Sequence, residues 1–255
     1  MTTVVTTESK GSGLTHDQVA EFRANGFLRV GKLLSDEDVE MLRDEYDRVF
    51  DEARSDGSFR NLAGEEPGTA TEMLQIMQVC ERSIPFRRLL YEVEILDAVE
   101  SLIGPNIQLF HDQALYKPAH LGDAVFWHQD NGYWKCLPPN LVTCWLTLDY
   151  VTAENGAMHL IPGSHLGAMS HERGEKEILF DLKDEVDASD AVVVDLPAGG
   201  VMFHHCQTLH YTPPNQTERP RRAFAIHFMP PGTRSEHSDE HLEVSFSRPM
   251  LRMKM

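Results

Sequence analysis

His128, Asp130 and His210 are residue types that bind metals, and the first two stand two positions apart in the chain. On a strand, alternation sends residues two apart to one face, so one imidazole and one carboxylate converge while Gln129 points away. A third ligand must come from elsewhere. His210 sits in a second β-rich segment and is followed by Tyr211, Thr212 and a Pro213-Pro214-Asn215 turn. Two imidazoles and a carboxylate cover one side of an octahedral ion and leave the other positions open. That suits an iron(II) oxygenase, which must bind cosubstrate and oxygen together. A structural zinc site would be closed instead. His-x-Asp by itself is common, and a surface His and Asp at a strand end is its ordinary meaning.

Arg221 follows His210 on an apolar segment where Arg221, Ala223, Ala225 and His227 would share one face. A guanidinium buried there needs an anionic partner. Its planar fork can hold a carboxylate by two parallel hydrogen bonds, a natural grip for the far end of 2-oxoglutarate, while Arg222 points the opposite way. Alone, Arg219, Arg221 and Arg222 would read as a solvated basic cluster on a turn. His204 and His205 compete for the third ligand position but lack the turn and the arginine that accompany His210. His111, His120, His159, His165 and His227 read as hydrogen-bonded structural histidines.

The elements that must position these residues change character along the chain. Thr15 and Gln18 form a capping-box pattern that opens a short helix closed by Gly26. Ser35 caps a second helix, with Val39, Leu42, Tyr46, Val49 and Ala53 at helical spacing before Gly57. A third helix is expected from Pro85 to Gly104, with Phe86, Leu89, Leu90, Val93, Leu96, Val99 and Leu102 inward. From Ile107 the texture becomes short β-rich runs: Ile107 to Tyr116, Val142 to Tyr150, Ala191 to Leu196, Val201 to His204 and Ala223 to Phe228. This predicts a mainly β fold, an antiparallel sandwich or jelly roll (double-stranded β-helix, cupin-like) with helices on one outer face. The expected domain map is a tail over 1–13, a helical layer over about 14–104, a jelly roll over about 105–232 and a C-terminal segment over 233–255. The polar stretch Gly167 to Asp190 is expected as a loop or lid at the mouth.

The chain has 255 residues, 41% of them apolar and 25% charged, which fits one globular domain. Its net charge of -17 disfavours nucleic acid, anionic membranes and polyanionic substrates, although an acidic exterior also serves solubility. Cys80, Cys136, Cys144 and Cys206 show no paired spacing and read as reduced thiols. Residues 1–13 are polar and hold no apolar signal core, so a cytoplasmic protein with a frayed tail is expected. Monomer and homodimer both remain open.

Taken together, these residues resemble the phytanoyl-CoA dioxygenase family. His128 and Asp130 match its His-x-Asp pair, His210 to Asn215 its distal histidine and turn, and Arg221 its strand arginine. Asn155-Gly156 leading to Leu160-Ile161-Pro162-Gly163-Ser164-His165 and the opening Phe22 to Val30 are also family-like, so the likeness runs from about Leu14 to Pro230. The resemblance implies a dioxygenase that uses iron(II), 2-oxoglutarate and O2 and releases succinate and CO2. It makes His128, Asp130 and His210 the metal ligands. It makes Arg221, with a hydroxyl such as Thr212, the grip on the cosubstrate's far carboxylate. It also points to Gln113, Lys117 and Trp145 in the cosubstrate pocket. Each has a plain alternative as core filling, turn hydroxyl or strand polar group. Family relatives that halogenate carry a small residue in place of the aspartate, so Asp130 implies hydroxylation.

The expected substrate is a small molecule, an amino acid or a natural-product intermediate. A coenzyme A thioester fits the acidic composition less well. Tyr133 and Trp134 are expected to line its pocket, with Trp127 a weaker third and plain core packing the alternative for all three. The rival readings are a cupin-like metalloenzyme that needs no 2-oxoglutarate and a non-catalytic jelly-roll binding protein.

Overall fold

The computed structural model describes residues 13–62, 73–173, 180–182, 185–236 and 239–254. Helix α1 (His16–Asn25) opens with the Thr15–Gln18 capping box and ends at Gly26, whose φ of +83° is the left-handed conformation glycine tolerates. Gly26 is also required by space, because a Cβ there would lie 2.5 Å from the His165 ring and 2.6 Å from the Thr208 hydroxyl. Strand β1 (Phe27–Lys32) follows, then α2 (Asp36–Asp56), capped by Ser35 and closed by Gly57. Five of its six buried residues are those the helical spacing picks out, and Phe50 completes the stripe.

Next come β2 (Arg60–Asn61), β3 (Leu74–Met77), α3 (Ile84–Leu89) and α4 (Val93–Ile103). The single helix expected from Pro85 to Gly104 is therefore two. The chain breaks between Leu90 and Glu92 because Leu89 and Leu90 are both buried, and the restart turns Ile95, Leu96, Ala98 and Val99 inward. Val93, expected inside, is 54% exposed. The expected helical layer also contains three strands.

The remainder is β-rich: β4 (Ile107–Lys117), β5 (Val125–His128), the short helix α5 (Asp130–Trp134), β6 (Cys136–Leu137), β7 (Val142–Thr147) and β8 (Met158–Leu160). Then follow β9 (His171–Arg173), β10 (Phe180–Leu182), β11 (Val192–Val194), β12 (Gly200–His205), β13 (His210–Thr212), β14 (Arg221–Met229), β15 (Arg234–Ser235) and β16 (Met250–Arg252). The Gly167 to Asp190 stretch thus holds a β9–β10 hairpin rather than only a loop. Its positions 174–179 and 183–184, like residues 1–12 of the expected tail, lie outside the described residues.

Two antiparallel sheets make the jelly roll. The larger runs β1-β12-β7-β14-β4-β3-β2, with β16 also on β4, and the smaller runs β11-β8-β13-β5. Alternation along the central strands sorts their residues between two cores. Cys144, Leu146, Phe203, Phe224, Ile226 and Phe228 pack outward against Leu42, Tyr46, Phe86 and Val99 of the helices. Trp145, Met202, Ala223 and Ala225 face inward against Met158, Leu160 and Val194 of the smaller sheet. Small alanines on the inner face of β14 leave room between the sheets. Among the described residues no helix is long and apolar enough to cross a membrane.

Candidate metal centre and its cavity

His210 on β13 lies directly opposite His128 on β5, so the two imidazoles form one cross-strand pair with ring centroids 4.1 Å apart. Asp130 reaches them by a different route from the one alternation predicts. Strand β5 ends at His128, Gln129 turns the chain, and Asp130 is the first residue of α5. Its Oδ1 stands 3.7 Å from His128 Nε2 and 3.8 Å from His210 Nε2. The three groups are buried and their ligand atoms lie within 4.8 Å of one another.

Gln129 makes this turn rigid. Its side chain donates to the Gly167 and Gln207 carbonyls, both at 2.7 Å, and accepts from Met169 N–H at 2.8 Å. Its backbone N–H donates to His171 Nε2 at 3.0 Å, which ties the β9–β10 hairpin to the centre. The His171 ring lies flat on Gly132, where a Cβ would come within 2.6 Å of three ring atoms. Gly132→Ala should therefore displace the hairpin and cost about 1–3 kcal/mol. That would lower the melting temperature by several degrees, and an unchanged melting curve would show that the ring can move aside freely.

The Pro162 to His165 element sets the start of β13. Ser164 Oγ accepts from Leu209 N–H at 2.9 Å, and Ile161 N–H donates to the Leu209 carbonyl at 3.1 Å. Asn215 secures the turn after it by donating to the Pro118 and Arg219 carbonyls at 3.1 and 2.8 Å.

The donor set fits a divalent ion. His128 Nδ1 contacts the Phe126 carbonyl at 2.8 Å and His210 Nδ1 the Thr208 carbonyl at 2.9 Å, which puts the proton on Nδ1 and the lone pair of Nε2 at the centre. Burial pushes the His128 pKa down to about 3 and that of His210 to about 4, so both imidazoles are neutral at ordinary pH. They form no ion pair with Asp130, whose carboxyl burial pushes up to about 6. An uncompensated carboxylate facing two imidazole lone pairs is a place for a cation. The other oxygen, Oδ2, accepts from Thr143 Oγ1 at 3.3 Å and stands 3.8 Å from His204 Nδ1.

The centre opens into a cavity of about 290 Å3 whose floor follows the strand register of the larger sheet. One row across it is His111–His227–Thr143–His204 and the next is Met77–Gln113–Ala225–Trp145. His227 Nδ1 lies 2.8 Å from Thr143 Oγ1, and its Nε2 lies 2.9 Å from the Gln113 amide. His111, His204 and His227 thus belong to the cavity, a placement that treating His111 and His227 as isolated structural histidines misses. The alternation of His111, Gln113, Leu115 and Lys117 along β4 was the available signal.

Arg221 and Thr212 occupy another part of the same cavity. Arg221 is 1% exposed, and among the described residues no carboxylate pairs with it; its one hydrogen bond, to the Leu115 carbonyl, is 3.5 Å long. Its Nε and the Thr212 hydroxyl are both buried without a partner. Burial lowers the guanidinium pKa only to about 10, so the charge persists, 5.7 Å above the Trp145 ring. Two orphaned donors and a buried cation fit a carboxylate. Arg222 points the other way, onto Asp47 and Asp149.

Of the remaining expected pocket residues, Gln113, Trp145, Tyr133 and Trp134 line the cavity. Lys117 does not. It is opposite Arg221 in register, but its Nζ turns to the Thr212 and Pro213 carbonyls, so it braces the end of β13. Trp127 stacks on Tyr211 with centroids 5.5 Å apart, away from the cavity, because it alternates with His128.

Six imidazoles, four of them buried and those of His111 and His205 half-buried, make the metal-free protein acid-sensitive. Burial is the first cause in each: His111 and His128 fall to about 3, His205 and His210 to about 4, and His204 and His227 well below the ordinary value. Unfolded chains protonate histidine near 6.5, so this contribution is whole above about pH 6.5 and is lost as pH falls towards the folded values. Asp112 and Asp130, both raised to about 6 by burial, work in the opposite sense as pH falls through that value. The histidines outnumber them. Urea unfolding of metal-free protein should show a stability loss of several kcal/mol between pH 7.5 and 5.5, about 1.4 kcal/mol for each histidine less what the two aspartates return; equal midpoints would mean these imidazoles titrate in the folded protein as they do in the unfolded chain.

Comparison with known proteins places this geometry. A profile described as phytanoyl-CoA dioxygenase (PhyH) matches residues 22–223. Peroxisomal phytanoyl-CoA dioxygenase of Mus musculus is 28% identical over 230 residues, covering 84% of this chain and 68% of that one. Ectoine dioxygenase of Bordetella parapertussis is 27% identical over 230 residues, covering 82% and 73%. Among solved structures, EvdO2 from Micromonospora carbonacea var. aurantiaca, complexed with 2-oxoglutarate, is similar with a TM-score of 0.64 and 29% identity, covering 90% of this chain and 96% of that one.

Proposed function

The chain belongs to the phytanoyl-CoA dioxygenase family, and on that premise we propose how its residues divide the work of an iron(II)- and 2-oxoglutarate-dependent dioxygenase acting on a small molecule. His128, Asp130 and His210 hold the ion by one face. Arg221 and Thr212 grip the far carboxylate of 2-oxoglutarate. The observation that carries this division is the buried, unpaired Arg221 with its orphaned Nε and the orphaned Thr212 hydroxyl, in the same cavity as the three ligands.

Iron(II) with 2-oxoglutarate and O2 supplies the oxidation, releasing succinate and CO2 and delivering an oxygen atom to a C–H bond. The protein's own part is placement. The Nδ1 contacts of His128 and His210 aim both Nε2 lone pairs inward, and Thr143 holds the outer oxygen of Asp130. Leu115, Val125, Met158 and Ala225 line the wall with apolar surface, which keeps water from the Arg221 charge and strengthens its hold on an anion. Lys117 acts indirectly, fixing the backbone that carries Thr212. Tyr133, Trp134, His111 and His227 form the side left for substrate, an amino acid or natural-product intermediate of a size the cavity admits. The carboxylate at Asp130 supports hydroxylation rather than halogenation. Four buried free thiols support a reducing compartment such as the cytoplasm.

Anaerobic titration of the metal-free protein with iron(II) and then 2-oxoglutarate tests the division of roles without a substrate. A weak visible charge-transfer band is expected in the wild type, absent in His210→Ala and reached only at higher 2-oxoglutarate in Arg221→Ala. Bound metal with no such band at any concentration would instead favour a cupin-like enzyme that does not use 2-oxoglutarate.

A further inference from the structure

The cavity carries one charge that this division of roles does not use. Arg60 on β2 stands opposite Gln75 on β3, Gln75 opposite Leu115 on β4, and Leu115 opposite Ala223 on β14, so Arg60 ends an inward-facing row at the sheet's edge. It lines the cavity and is open to solvent, which puts it at the mouth. Gln75 beside it is committed to the Gln113 amide. Among the described residues no carboxylate pairs with Arg60, whereas Arg48, Arg222 and Arg252 each sit on two.

The balance of charge makes this arginine informative. The chain has 40 acidic residues, yet among the described residues that line the cavity the only carboxylate is Asp130. With the site filled, Asp130 and a doubly charged cosubstrate are neutralised by a divalent ion and Arg221. Among the described residues Arg60 then remains as one unanswered positive charge, and apolar walls concentrate its field. Met73, Met77 and Trp134 supply apolar lining in the same cavity.

We propose that Arg60 is the substrate's anchor, and that the substrate is an organic monocarboxylate whose apolar part lies against Met77 and Trp134 while its carboxylate is held at the mouth. A guanidinium fork matches a carboxylate by two parallel hydrogen bonds. A phosphate monoester, with close to two charges at neutral pH, would exceed what a single cation balances. The assignment rests on the reading above, because it takes Arg221 to be occupied by the cosubstrate.

The test uses protein loaded with zinc(II) and N-oxalylglycine, a non-reacting stand-in for 2-oxoglutarate, and ligand-observed NMR. The probes are a library of small monocarboxylic acids, their primary amides and matched phosphate monoesters. Wild type should retain a subset of the acids and reject the corresponding amides. Arg60→Gln should bind those acids about tenfold more weakly, and Arg60→Lys should recover part of the loss. Amides or phosphate esters binding as well as acids, equal binding to Arg60→Gln, or no acid retained at all would each overturn the proposal. Thermal shift on adding N-oxalylglycine separates the two levels. If it stabilises wild type and Arg60→Gln equally, the cosubstrate reading stands whatever the acids do; if it stabilises neither, that reading is what failed.

Discussion

His210→Ala should release succinate more than about a hundredfold more slowly than wild type at saturating iron(II) and 2-oxoglutarate, because even partners one layer outside a metal's ligands change affinity or activity by about 10–100-fold. Its metal-free fold should persist, since the imidazole removed is neutral and leaves no buried charge without a partner. Asp130→Asn makes a sharper case. It should be equally inactive, yet more stable than wild type without metal at pH 7.5, because it removes a carboxylate that burial already disfavours. Activity assays with urea unfolding on the same preparations decide the matter. Near-normal turnover in either variant would remove that residue from the ligand set, and a destabilised Asp130→Asn would make the carboxylate structural.

Arg221→Ala should raise the 2-oxoglutarate KM by about a hundredfold, the scale expected when one partner of a buried charge pair is removed. The kcat should fall far less, since the far carboxylate is gripped alike before and during reaction. Arg221→Lys should recover little, because a lysine offers a point charge where the fork makes two parallel bonds. In the absence of cosubstrate, Arg221→Met should be more stable than wild type, because the wild-type guanidinium is buried without an anion. Steady-state kinetics with varied 2-oxoglutarate provides the check; an unchanged KM would move the anion site elsewhere.

The proposed ligands and Arg221 are picked out in the sequence by short-range rules together with the family likeness: alternation along a strand, a turn after His210 and a charge on an apolar run. Those rules depend only on neighbours in the chain. They failed where the outcome is settled by what packs against a residue. Asp130 joins His128 through a turn and a helix start, held by Gln129 hydrogen bonds to positions as distant as Gln207. Lys117 shares the alternation that sends Gln113 into the cavity, yet two carbonyls near β13 claim its ammonium. The helix expected from Pro85 to Gly104 breaks because two adjacent leucines both find cover. The histidine row across the larger sheet was written in the alternation of single strands, but only register places His111 beside His227, and register needs the partner strand. Arg60 is the plainest case, since nothing near it in sequence shows that it ends a row facing the cavity.

The pairing of His128 with His210 has a consequence for how the protein comes apart. The two residues are 82 positions apart in sequence and directly opposite in space. An ion held by both therefore closes a long loop much as a covalent cross-link would, in a chain whose described cysteines are all free. A permanent link across a loop of that length restricts the unfolded chain by about 4 kcal/mol in the entropic treatment. The same link fixes the register of β5 on β13, where a slip of one residue would turn an imidazole out of the centre. An ion so held would be a reversible staple in the smaller sheet, and a chelator would act on the enzyme as a reducing agent acts on a disulfide-bonded protein, loosening the fold as well as stopping the reaction.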